Sequence, residues 1–195
     1  MAITAADVKK LRDMTGIGMM KCKEALTEAD GDVEKAIELL RKRAEGDISK
    51  RASRDAKEGV IGCYTHFDNK LSVMVELNCE TDFVAKTDDF QALAKDLAMH
   101  VAASNPLYLS PDSVPEDVVA KEKEIYREQA ADKPERAIEK IVEGKLNKFF
   151  ATTCLTEQPF VKDQDKLICD LVKEASARTG EKIEIRRFTR FRVGE

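Results

Sequence analysis

No apolar run in this chain approaches the ~20 residues needed to span a bilayer, and the N-terminus lacks the basic-then-apolar pattern of an export signal. These absences point to a cytoplasmic protein with no membrane partner. Metal and thiol chemistry are also poorly provided for. The histidines number two, His66 and His100, and the five cysteines, Cys22, Cys63, Cys79, Cys154 and Cys169, are scattered and never form a C-x-x-C pair. No tetrahedral ligand set stands out by spacing, no cofactor is implied, and reduced thiols are expected. A thiol or metal enzyme would need the fold to bring cysteine and histidine together. The net charge of −4 also argues against nucleic acid as the main partner.

What is present is an ordinary globular mixture, 43% apolar and 36% charged. A chain of 195 residues is long enough for one fair-sized core and a small appended module. The pattern assigns three parts: residues 1–45 as a three-helix unit, 46–59 as a polar connector, and 60–195 as an α+β core domain.

In the first part Thr4 and Asp7 read as a capping signature before Val8, Leu11 and Met14, and Gly16 ends that helix. Gly18 opens a second helix, closed by Gly31. Asp32 caps a third, with Val33, Ala36, Ile37 and Leu40 at helical spacing and Gly46 beyond its end. Met19 and Met20 lie about 100° apart on a helix, so at least one is expected on the surface, where methionine suits adaptable protein contact. The connector's Lys50, Arg51, Arg54 and Lys57 alternate with acids and have no aromatics between them, which favours a solvated face over a phosphate-binding patch.

The core domain opens with two β-rich runs, 60–67 and 71–77, around the turn Asp68-Asn69-Lys70. Phe90, Leu93, Leu97 and Val101 mark an amphipathic helix, with His100 outside the stripe and read as a surface residue. Further helices are expected over 116–131, with Val118, Ile125 and Tyr126 inward, and from Asp132 with Pro134 in its first turn. Another passes through Leu167 to Val172. The final run, 182–193, reads as a charged edge strand, its arginines explained by the edge as well as by nucleic acid. Its apolar positions need covering, which makes a homodimer through the sheets an expectation.

One stretch stands apart. Cys79-Glu80-Thr81-Asp82-Phe83-Val84-Ala85-Lys86 lies where a strand hands over to a helix, a support that can present side chains outward. Composition alone favours Phe83 as a core ring and Asp82 as a helix cap. A partial echo occurs at Cys154-x-Thr156 before Phe160-Val161-Lys162, with offsets that do not match.

Three motifs carry a resemblance. They are the run from Leu11 to Leu26 with Thr15-Gly16-Ile17-Gly18-Met19-Met20 at its centre, the run Glu76 to Ala85, and Gln158-Pro159-Phe160-Val161 together with Arg190-Phe191-Arg192-Val193-Gly194-Glu195. The chain resembles the bacterial elongation factor Ts family across its whole length, in a short form without the larger central portion of long members. The resemblance implies an N-terminal module like the ubiquitin-associated fold, and an α+β core with a small antiparallel sheet packed with helices. It implies guanine-nucleotide exchange on elongation factor Tu, in GDP-bound and nucleotide-free states, by protein binding and without catalytic residues. It assigns Thr81, Asp82, Phe83 and Val84 to dislocation of the partner's Mg²⁺, and Gly18, Met19 and Met20 to contact with its nucleotide-binding domain.

Overall fold

The computed structural model describes residues 3–195, so Met1 and Ala2 of the expected first module lie outside the described residues. The chain divides into two compact units. One comprises Met1–Gly59, Asn78–Phe90 and Val172–Glu184, and the other Val60–Leu77, Gln91–Leu171 and Ile185–Glu195.

The first unit begins with α1 (Ala5–Thr15), whose start follows the sequence closely. The Thr4 hydroxyl accepts from the Asp7 amide, and the Asp7 carboxylate accepts from the Thr4 amide at 3.0 Å, a reciprocal cap. Gly16 ends the helix at φ +68°, and a Cβ there would lie 2.6 Å from Arg178 Cδ, so both conformation and space call for glycine. Helix α2 (Met19–Glu28) and α3 (Val33–Arg51) follow, the latter capped by Asp32 accepting from the Lys35 amide. Val8, Leu11, Cys22, Leu26, Ala36 and Leu40 form the buried centre of the three helices. Met14, read with that stripe, is exposed instead.

Gly46 does not lie beyond the third helix: α3 continues through it to Arg51. A glycine inside a helix costs only about 1 kcal/mol relative to alanine. The last turn is anchored by Arg51, which is buried and donates to the Ser176 carbonyl at 3.1 Å. That bond also corrects the reading of Arg51 as part of a solvated face.

After the three helices, β1 (Glu58–Thr65) and β2 (Leu71–Cys79) form the expected hairpin, with Asn69 at φ +56° in the turn and the His66 amide donating to the Leu71 carbonyl at 2.9 Å. One-turn α4 (Asp82–Ala85) leads into α5 (Asp88–Ser104). Helices α6 (Glu116–Glu128) and α7 (Glu135–Thr153) pack on one another. A short sheet of β3 (Pro159–Phe160) against antiparallel β4 (Asp163–Leu167) precedes α8 (Ile168–Thr179) and β5 (Glu184–Arg192). The main sheet has the order β1-β2-β5, so β5 is an edge strand as expected. Two of its arginines lie against carboxylates, Arg187 at 2.7 Å from Glu76 and Arg190 at 2.6 Å from Glu195. The architecture is α+β, a small antiparallel sheet packed with helices after an N-terminal helical set.

Several local expectations are corrected in the second unit. Helix α7 is capped at Pro134, not Asp132, because proline suits a helix start through its fixed φ. Ile125 is 39% exposed and no residue of α6 is buried, so the inward face expected there is shallow. His100 is fully buried, not on the surface. Its Nδ1 accepts from the Val161 amide at 3.2 Å, so Nε2 carries the proton and donates to Gln158 Oε1 at 3.0 Å. Gln158 in turn donates to the Thr152 carbonyl at 2.6 Å. Burial lowers the pKa of this imidazole and keeps it neutral, with the bond to Gln158 acting in the opposite sense. Gln158 and Phe160 of the Gln158-Pro159-Phe160-Val161 motif thus cover the side of α5 that the apolar stripe left open.

Candidate functional site

The corner after β2 is built from backbone geometry outward. Thr81 is extended, and its hydroxyl accepts from the Val84 amide at 3.4 Å, so Thr81 caps α4 and Asp82 occupies its first turn. The expectation that Asp82 is the cap is corrected by one residue. A helix starting at Asp82 turns Ala85 inward, where it is buried, and points Phe83 the opposite way. Phe83 is 80% exposed, which overturns the core reading favoured by composition. Val84 and Thr81 are half-buried beside it.

The corner is tied down from a distant part of the chain. The Glu181 carboxylate accepts the Glu80 amide at 3.0 Å, the Thr81 amide at 3.1 Å and the Thr81 hydroxyl at 2.6 Å. In return the Glu80 carboxylate accepts the Lys182 amide at 2.6 Å and pairs with Arg54 at 3.2 Å. The Lys182 amide, with Arg54 and Arg51 nearby, holds the Glu80 carboxyl below its usual range. Cys79 at the strand end is buried and donates through Sγ to the Thr81 carbonyl at 3.1 Å. Burial pushes its thiol up to about 11, which removes it as a nucleophile at neutral pH.

Asp82 is differently placed. Its carboxylate pairs with Lys86 at 2.6 Å, and that hydrogen bond pulls its pKa below the usual value. Exposed i,i+4 pairs contribute little to stability, so the lysine is readily exchanged for another cation or donor. The corner therefore offers a bare phenyl ring and an anion side by side on a fixed backbone. Chemically it can insert an apolar wedge and compete for positive or hydrogen-donating groups.

The second set of expected site residues lies at the start of α2. Gly18 is the N-cap, Met19 is 42% exposed and Met20 69% exposed, so both methionines face outward. Nothing crowds Gly18: a Cβ there would meet no atom within 4 Å. Both sets belong to the first compact unit. The echo at Cys154 does not reproduce the corner, because Phe160 is buried where Phe83 is bare. Glu181 went unnoticed in the sequence. It lies 100 residues from Thr81 and no local pattern connects the two.

Among the described residues no three histidine, cysteine or acidic groups are placed to hold a metal ion, and no helix is long and apolar enough to cross a membrane. A sheet-supported ring and a methionine pair on one unit describe a factor with surfaces suited to protein contact. The family described as Elongation factor TS matches residues 2–195, and the chain belongs to this family of protein-synthesis factors. It is similar to Elongation factor Ts of Thermosipho melanesiensis, 57% identical over 195 residues, with 99% of this chain and 100% of the relative covered. The corresponding protein of Syntrophus aciditrophicus is 56% identical over 197 residues, covering 100% of this chain and 98% of the relative. That of Moorella thermoacetica is 56% identical over 195 residues, covering 99% and 96%.

Proposed function

We propose that this chain is the guanine-nucleotide exchange factor of elongation factor Tu, acting in the cytoplasm during translation elongation. It binds the GDP-bound partner, disturbs the site that holds Mg²⁺ and phosphate, and leaves a nucleotide-free complex once GDP departs. The observation that carries this reading is the 80% exposure of Phe83 on a corner whose backbone is fixed by Glu181. A ring held rigidly in water has no stabilising role in its own fold and is available to a partner.

The mechanism is one of differential binding. A factor that binds the nucleotide-free partner more tightly than the GDP complex weakens GDP binding by the same ratio, because the coupling is reciprocal. Phe83 wedges between elements of the partner near its phosphate site. Asp82, kept anionic by Lys86, competes for the groups that hold Mg²⁺, while Thr81 and Val84 keep the corner in shape. Met19 and Met20, with Gly18 allowing close approach, contact the nucleotide-binding domain. Residues 1–45 then serve as the partner-binding module. No proton transfer or covalent step is required, so the protein works without catalytic residues or a cofactor. Direct nucleic-acid binding is not part of this reading, in keeping with the net charge of −4.

The expected result is a dissociation constant for nucleotide-free elongation factor Tu at least tenfold below that for its GDP complex, a difference of about 1.4 kcal/mol. Calorimetric titration of both forms measures it. Equal affinities would remove the driving force and with it the proposal.

A further inference from the structure

We propose that Glu181, backed by Arg51, is the positioning residue of the exchange corner; this rests on the function proposed above. Among the residues assigned to the partner Glu181 bonds Thr81 and not Phe83, yet the corner's backbone depends on it. Its carboxylate takes two consecutive amides, of Glu80 and Thr81, and the Thr81 hydroxyl. Because the hydroxyl spends its proton on Glu181, its lone pair is turned to the Val84 amide, which starts α4 with Phe83 on the outer side. A carboxylate is the appropriate group here, since all three partners are donors and an amide side chain would bring a donor of its own.

The loop that carries Glu181 is itself held. Ser176 Oγ donates to the Glu181 carbonyl at 2.5 Å, and Gly180 permits the turn at φ +77°. Buried Arg51 donates to the Ser176 carbonyl at 3.1 Å and lies 3.6 Å from the Asp47 carboxylate, which pairs with Lys21 at 2.8 Å. Lys21 follows Met20 directly in α2. A line of polar contacts therefore runs from Lys21, the neighbour of Met20, to the Thr81 cap. It is satisfied at each link and lies within a single compact unit. Its inner links, from Arg51 to Glu181, hold the corner before the partner arrives, which removes the ordering cost that a loose corner would add on binding. The Arg51 link also accounts for a buried guanidinium that partner contact alone leaves unexplained.

The test is a double-mutant cycle on GDP release from elongation factor Tu, using the full chain, Phe83→Ala, Glu181→Ala and the double variant, with circular dichroism and thermal melts in parallel. Glu181→Ala is expected to lower the exchange rate by about tenfold or more, since it removes three charge-assisted hydrogen bonds from a half-buried corner. In the Phe83→Ala background the same change is expected to cost less than twofold, since a misplaced corner without its ring has little left to lose. The melting shift caused by Glu181→Ala remains equal in both backgrounds. Should Glu181→Ala fail to fold, Glu181→Gln, which keeps the volume, replaces it in the cycle and is expected to show the same non-additivity. Additive losses would assign Glu181 to general stability and overturn the positioning role, as would a wild-type rate for the single variant. Phe83→Ala exchanging at the wild-type rate would instead overturn the functional reading itself.

Discussion

Phe83→Ala is expected to slow factor-stimulated GDP release from elongation factor Tu by about thirtyfold or more while leaving the melting temperature nearly unchanged. The two halves of this expectation have separate physical grounds. The ring is 80% exposed, so its removal opens no cavity and returns little buried area to water. Its helix is started by the Thr81 hydroxyl and closed by the Lys86 amide donating to the Asp82 carbonyl, neither of which involves the phenyl group. An anchoring aromatic in a partner interface, by contrast, contributes roughly 2–4 kcal/mol, and 2 kcal/mol is about a thirtyfold change. Exchange kinetics and a thermal melt on the same preparation measure both. A cooperative loss of stability would return Phe83 to a structural role, and normal exchange would remove it from the interface.

The second large effect is on the fold. Gly62 lies in β1, and a Cβ at this position would sit 2.2 Å from the Ala94 carbonyl oxygen and 2.5 Å from its carbon, both backbone atoms of α5. No side-chain rotation relieves such a contact. Strand and helix must separate, and the packing of buried Ala94, Leu97 and Val73 separates with them. Overpacking of this kind costs 1–3 kcal/mol in ordinary cases and more where backbone obstructs. We therefore expect Gly62→Ala to lose about 3 kcal/mol or more in urea unfolding, with exchange activity falling only as the folded fraction falls. A loss under ~0.5 kcal/mol would contradict the close apposition of Gly62 to the Ala94 backbone.

Most of the architecture was legible because its signals are local. The Thr4–Asp7 cap, Gly16 at positive φ, the Asp32 cap and the turn around Asn69 depend on residues within a few positions of each other, and each appears where the spacing places it. Features that depend on distant partners were not legible. Arg51 reads as an ordinary charged connector residue until Ser176, 125 positions away, accepts its hydrogen bond. His100 falls outside the apolar stripe of α5, and only Gln158 and Val161 make it a buried, satisfied group. The β3–β4 pair was missed because two residues of one strand face a largely polar run in the other, so no alternation marks either. The site divides in the same way. The motif residues were found by resemblance, but composition argued for a buried Phe83, and the exposure of the ring follows from where Thr81 starts a single turn of helix. Glu181, which fixes that start, carries no local mark at all.

The proposed exchange activity is measured directly by following nucleotide loss from elongation factor Tu. Elongation factor Tu is loaded with fluorescent GDP, mixed with excess unlabelled GDP, and the signal decay is followed with and without substoichiometric amounts of this protein. The expected result is a decay rate that rises with the concentration of added protein and turns over many equivalents of the complex. A decay rate identical in its presence and absence, with the protein shown to be folded, would contradict the account.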